Sequence, residues 1–97
     1  MNFCVMQLYV EFRINAPKVD IIECTIEGAS EQLSDAIIEL LRGVLIHAFM
    51  NAINIAAFNA AAKADIQEIL NVDPRPAVAV RHEKDGIHVV INNLSPG

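Results

Sequence analysis

Residues 43–62 read GVLIHAFMNAINIAAFNAAA, twenty positions without a formal charge between Arg42 and Lys63. That length suffices to span a bilayer. His47, Asn51, Asn54 and Asn59 are spread through it, however, and each polar group needs a partner where there is no water. Alanine, the commonest residue of the stretch, adds little insertion energy. The stretch therefore reads as a buried helix of a soluble protein, not as a membrane span.

Extending outward, Ser30 is a good N-cap, and Glu31 after it suits the positive end of a helix dipole. No proline intervenes until Pro74 and Pro76, and Asn71 can close the helix. The pattern predicts one long helix from Ser30 to about Asn71, with Gly43 as the position where it can kink or divide. Unbroken, it would be about 60 Å long.

Both flanks alternate with period two, as strands with one buried face do. Before the helix, Cys4, Met6, Leu8, Val10, Phe12 and Ile14 fall on one side. Asn15-Ala16-Pro17-Lys18 makes a turn, and Ile22, Cys24 and Ile26 continue an apolar face on the returning strand. After the helix, residues 77–83 and 87–92 flank Lys84-Asp85-Gly86, and Asp-Gly between alternating runs signals a hairpin. A three-residue loop would set His82 opposite His88. A two-residue loop would set His82 opposite Val89 and Glu83 opposite His88, gathering Val78, Val80, Ile87, Val89 and Ile91 on one face; the hydrophobic pattern favours it. The expected fold is α+β, a single domain over residues 1–97 in two layers, ββαββ, with an antiparallel sheet under one long apolar helix.

Such a helix carries more apolar surface than one sheet can cover. Four strands make a sheet only about 20 Å wide, and a helix on a sheet needs a single apolar stripe. Val44, Leu45, Phe49, Ile53 and Ile55 need another cover, and a second copy of the same helix is the simplest one. Ala48, Ala52, Ala56, Ala60 and Ala64 recur every four residues, a ridge of small side chains that lets two helices approach closely. Alanine's helix propensity explains its abundance but not that register. The expectation is a homo-oligomer, dimer or higher, formed through the helix.

Glu39, Gly43, His47, Asn51, Asn54, Asp65 and Glu68 fall in one stripe at 100° per residue, and most of the remaining circumference between residues 40 and 62 is apolar. His47, Asn51 and Asn54 fit three readings: a pocket that holds a small polar ligand, a seam that sets oligomer register, or a wet face. Glu31, Asp35 and Glu39 form a second line, with no basic residue between Lys18 and Arg42. They make either an acidic strip for a partner with a basic surface or a solvated face.

The remaining composition excludes more than it assigns. Over the 97 residues, 54% are hydrophobic, and the formal net charge is −5, which argues against a nucleic-acid surface. Cys4 and Cys24 are too few for a disulfide scaffold and read as reduced, buried thiols in the cytoplasm, since the N-terminus lacks a signal-peptide pattern. Two histidines beside the second turn lack a third ligand for a metal. Phosphate-loop, dinucleotide, zinc-protease and nucleophile-elbow motifs are all missing, and nothing implies a cofactor. The expected activity is stoichiometric binding to a protein, as an inhibitor, adaptor or scaffold. The alternative is an oligomer that holds a small polar ligand near His47, Asn51 and Asn54.

Overall fold

The computed structural model describes residues 6–94. Its elements are β1 (Gln7–Asn15), β2 (Lys18–Glu27), α1 (Glu31–Asn51), α2 (Ile55–Ile69), β3 (Ala77–Glu83) and β4 (Gly86–Asn92). The four strands form one antiparallel sheet in the order β2-β1-β4-β3, so the two hairpins join through their first and last strands. The class is α+β as expected, but the architecture is ββααββ with two helices. No helix of the described residues is long and apolar enough to cross a membrane.

β1 follows its alternation: Met6, Leu8, Val10, Phe12 and Ile14 are all buried. Cys4, expected on that face, lies outside the described residues. β4 and β3 add Val89, Ile91 and Val78 to the same core. From above, α1 contributes Ile37, Ile38, Leu41, Leu45 and Ala48, and α2 contributes Phe58, Ala62 and Ile66. The two helices pack on each other, with α2 over β3 and α1 toward β2.

The expected single helix breaks at Ala52-Ile53-Asn54, not at Gly43, which stays inside α1 with open space around it. Two asparagines make the break. The Asn51 side chain donates from Nδ2 to the carbonyl of His47, 2.9 Å away. Asn54 takes an extended backbone and caps α2, its Oδ1 accepting from the Ala57 amide at 2.8 Å. Short polar side chains compete in this way with the helical ladder. The tertiary gain is that Phe58 folds back onto Phe49 and both apolar faces reach one sheet. The molecule measures 35 × 28 × 24 Å, which a 60 Å rod could not fit.

That fold covers part of the apolar surface that predicted an oligomer. Leu45 is fully buried, and Val44 and Phe49 pack partly against the core. Ile53 and Ile55 stay exposed.

Two finer expectations are corrected. In β2 the inner face does not run Ile22, Cys24, Ile26. A bulge falls at Ile22, because Glu11 pairs with Glu23 but Phe12 pairs with Ile21. The face passes from Ile26 and Cys24 to Ile21 and Val19, and only Val19 is buried. Cys24 is an exposed free thiol, not a buried one, because β2 is an edge strand. In the second hairpin Glu83 pairs with Gly86, so the loop is Lys84-Asp85 and His82 faces Ile87. The expected apolar set shares one face, but the turn sits one residue earlier than the favoured register. Gly86 has a φ of 132°, and a Cβ there would lie 2.5 Å from the carbonyl oxygen of Ile14. A contact with the neighbouring β1 thus places the turn.

Asn93 closes the sheet's far end. It is 8% exposed, accepts from the Leu8 amide at 2.8 Å, and donates to the carbonyls of Met6 and Pro74. One side chain thereby ties the chain's end to the start of β1 and to the α2–β3 connection.

Candidate functional site

The helix break redistributes the polar stripe. Glu39, Gly43 and His47 on α1 face Asp65 and Glu68 on α2 across a cleft of about 550 Å³. Leu40, Val44 and Ile69 supply its apolar walls. Gly43, with nothing within 4 Å of its would-be Cβ, keeps the cleft open. The cleft therefore joins a carboxylate-rich rim, one imidazole and an apolar lining, suited to a small molecule with a cationic group on a hydrocarbon frame.

Of the three residues expected to hold a ligand, only His47 lines this cleft. Asn51 bonds its own helix and Asn54 caps the next one. Asn54 also borders a separate hollow of about 350 Å³ with Phe49, Phe58 and His82. Asp65 and Glu68 belonged to the stripe without being marked as site residues. Their place on the stripe was the available signal, and the reversal is what turns them toward His47.

The alanine ridge is divided by the same break. Ala48 is buried in the core, Ala52 is half-buried at the end of α1, and Ala56, Ala60 and Ala64 are exposed along α2. Glu31, Asp35 and Glu39 are all exposed on α1, and Glu39 lies 3.7 Å from Arg42 Nε. Arg42 in turn donates from Nη1 to the Val19 carbonyl, which ties α1 to β2.

An apolar corner forms where α1 ends. Ile14, Pro17, Val19, Ile46, Phe49 and Met50 surround a hollow of about 270 Å³. Met50 on its rim is 77% exposed, and Ile53, which borders the separate hollow of about 350 Å³, is 91% exposed.

The helix-free face of the sheet holds a third group. His88 on β4 has Nδ1 at 2.8 Å from a Glu11 oxygen and Nε2 at 2.8 Å from an Asp85 oxygen. Arg81 approaches the same Glu11 oxygen at 3.5 Å, and the Tyr9 hydroxyl donates to the other at 3.4 Å. Arg13 bridges Asp20 at 3.0 Å and Asp85 at 3.4 Å. Hydrogen bonds to Glu11 and then to Asp85 raise the His88 pKa above its ordinary 6.5. Both ring nitrogens are thus engaged by carboxylates of the same chain. Among the described residues, no group of three or more histidine, cysteine or acidic side chains is arranged to hold a metal ion.

No protein-family model, curated protein or solved structure matches this chain.

Proposed function

We propose that the protein acts by stoichiometric binding and not by catalysis, as a small homo-oligomer whose apolar corner docks a second copy. The observation that carries this reading is the exposure of Met50, at 77%, on the rim of a hollow with an apolar lining, and of Ile53, at 91%, in the helix break three residues on. Each such side chain gains about 1.5–3 kcal/mol when it leaves water. Exposed apolar surface of this kind marks interaction sites. A protruding Met50 and the hollow it borders lie on one patch, which a two-fold axis can bring against its own copy. Ala56, Ala60 and Ala64 on α2 extend the surface open to close packing. A protein partner with a basic surface would then meet Glu31, Asp35 and Glu39, as an inhibitor, adaptor or scaffold requires. A reducing compartment such as the cytoplasm completes the reading, on the low cysteine content of the sequence.

The test is native mass spectrometry and sedimentation on the full chain, with Ile53→Asp and Met50→Asp for comparison. The expected result is a dimer that each substitution converts to a folded monomer. A wild-type chain that stays monomeric at its highest soluble concentration sinks the reading.

The interhelical cleft favours a second reading, a small polar ligand held beside His47. Glu39, Asp65 and Glu68 around it select a cation. Titration with spermidine, followed by the amide signals of α1 and α2, tests this. Shifts confined to the cleft and lost in Asp65→Asn and Glu68→Gln support it; their absence rejects a cationic ligand of that kind.

A further inference from the structure

We propose that Glu11, His88 and Asp85 form a proton-operated clasp, which holds the β3–β4 turn against the open sheet face while His88 carries both ring protons and frees it when one leaves. The argument begins with donor arithmetic. Both imidazole nitrogens lie 2.8 Å from carboxylate oxygens, which only accept. An imidazolium can donate to both. A neutral ring has one N–H, so one nitrogen lone pair must then face a carboxylate. One of the two hydrogen bonds has to fail.

The surroundings decide which one. The Glu11 side chain is 13% exposed and sits on β1, with Arg81 and Tyr9 as further partners. The Asp85 side chain is 53% exposed and belongs to the two-residue loop. Its other partner is Arg13 at 3.4 Å, and Arg13 has the closer Asp20 at 3.0 Å to retain it. Glu11 therefore keeps the remaining N–H, and Asp85 departs with its loop.

Every charged or titratable group near the ring is accounted for. β1 presents Tyr9, Glu11 and Arg13; β3 presents Arg81 and Glu83; the loop presents Lys84 and Asp85; β2 presents Asp20 and Glu23 beyond β1. The helices lie on the opposite face. Arg81 and Arg13 disfavour the protonated ring, but neither bonds to it, whereas two carboxylates do.

The sign follows from the two shifts. The His88 pKa is raised above 6.5, so its contribution is complete below 6.5 and is lost as pH rises through the raised value. The Asp85 pKa is lowered below 3.8, first by the His88 hydrogen bond, so its contribution is present above 3.8 and is lost as pH falls through the lowered value. The clasp is closed between those limits and opens on the alkaline side through His88. Once His88 titrates, the open-to-closed ratio of the turn rises by up to about tenfold per pH unit.

Nuclear magnetic resonance on the full chain tests this, with the His88 ring signals and the Lys84 and Asp85 amides followed across pH. The ring is expected to titrate above 6.5, with both amides moving at the same midpoint. In Asp85→Asn the His88 midpoint is expected to fall, and the turn amides to stop following it. In His88→Gln the turn is expected to be open throughout the range. A His88 midpoint at or below 6.5 in the wild-type chain, or turn amides indifferent to it, overturns the proposal. Retained amide dispersion in both variants separates loss of the clasp from loss of the fold.

Discussion

Phe49 and Phe58 meet edge to face, with ring centroids 5.9 Å apart and planes inclined at 79°, across the break between α1 and α2. Nine positions separate them in sequence. On an unbroken helix they would lie about two and a half turns apart, too far to touch. The contact is thus a signature of the reversal, and its removal should weaken the helix pair first. Phe58→Ala, at a site 1% exposed, should cost about 3–5 kcal/mol in urea unfolding. A double-mutant cycle with Phe49→Ala should return a coupling of about 0.5–1.5 kcal/mol. A coupling of zero would mean that the rings do not stabilise the reversal.

The cap on α2 gives a second measurement. Asn54→Ala removes the acceptor for the Ala57 amide and should cost about 1 kcal/mol. Asn54→Asp keeps the acceptor and should lose much less. Equal losses in the two variants would point to some other role for Asn54.

Two glycines should respond in opposite directions. Gly43 lies within α1 with nothing near its would-be Cβ, so Gly43→Ala should stabilise by roughly 0.5–1 kcal/mol. Gly86→Ala meets the Ile14 backbone at 2.5 Å from a positive φ and should destabilise by about 1–3 kcal/mol. Thermal melts of the pair check both signs, and destabilisation by Gly43→Ala would restore a kink at that position.

Asn93 should prove more sensitive than any surface polar residue. Asn93→Ala strands the buried Leu8 amide and the Met6 carbonyl, at about 3 kcal/mol. Asn93→Asp keeps the acceptor but turns a carboxylate toward two carbonyl oxygens, and should be at least as harmful at neutral pH. Chemical denaturation of the two variants tests the order.

Cys24 is exposed but should react slowly. Burial of the sulfur, then the Asp35 charge, push its thiol pKa above 9.0. Alkylation by iodoacetamide should therefore climb about tenfold per pH unit through neutral and mildly alkaline pH. Asp35→Asn should speed it at fixed pH. Rapid alkylation at pH 7 would contradict the raised value.

Local pattern determined the strands, the turn between β1 and β2, the helical character of residues 31–51 and 55–69 and the buried face of β1. Each of these follows from side-chain period or from backbone chemistry at single residues, so neighbours in sequence suffice to read them. The phase of the polar stripe put His47, Glu39, Asp65 and Glu68 on one line of a continuous helix, and only the reversal sets them face to face. Four features depended on distant parts of the chain. Asn51 and Asn54 suit a helix interior poorly and a cap well, but their spacing alone does not say that a chain reverses there. Reversal wins because it brings Leu45, Ala48, Phe58, Ala62 and Ile66 onto one short sheet. The bulge at Ile22 arises from pairing of an edge strand with β1, and the Lys84-Asp85 turn from the approach of Gly86 to Ile14. The His88 cluster draws on β1, β4 and the β3–β4 turn, with partners 3 and 77 positions away. Hydrogen bonds and packing over such separations exist only once the sheet order is set, and tertiary structure alone decides them.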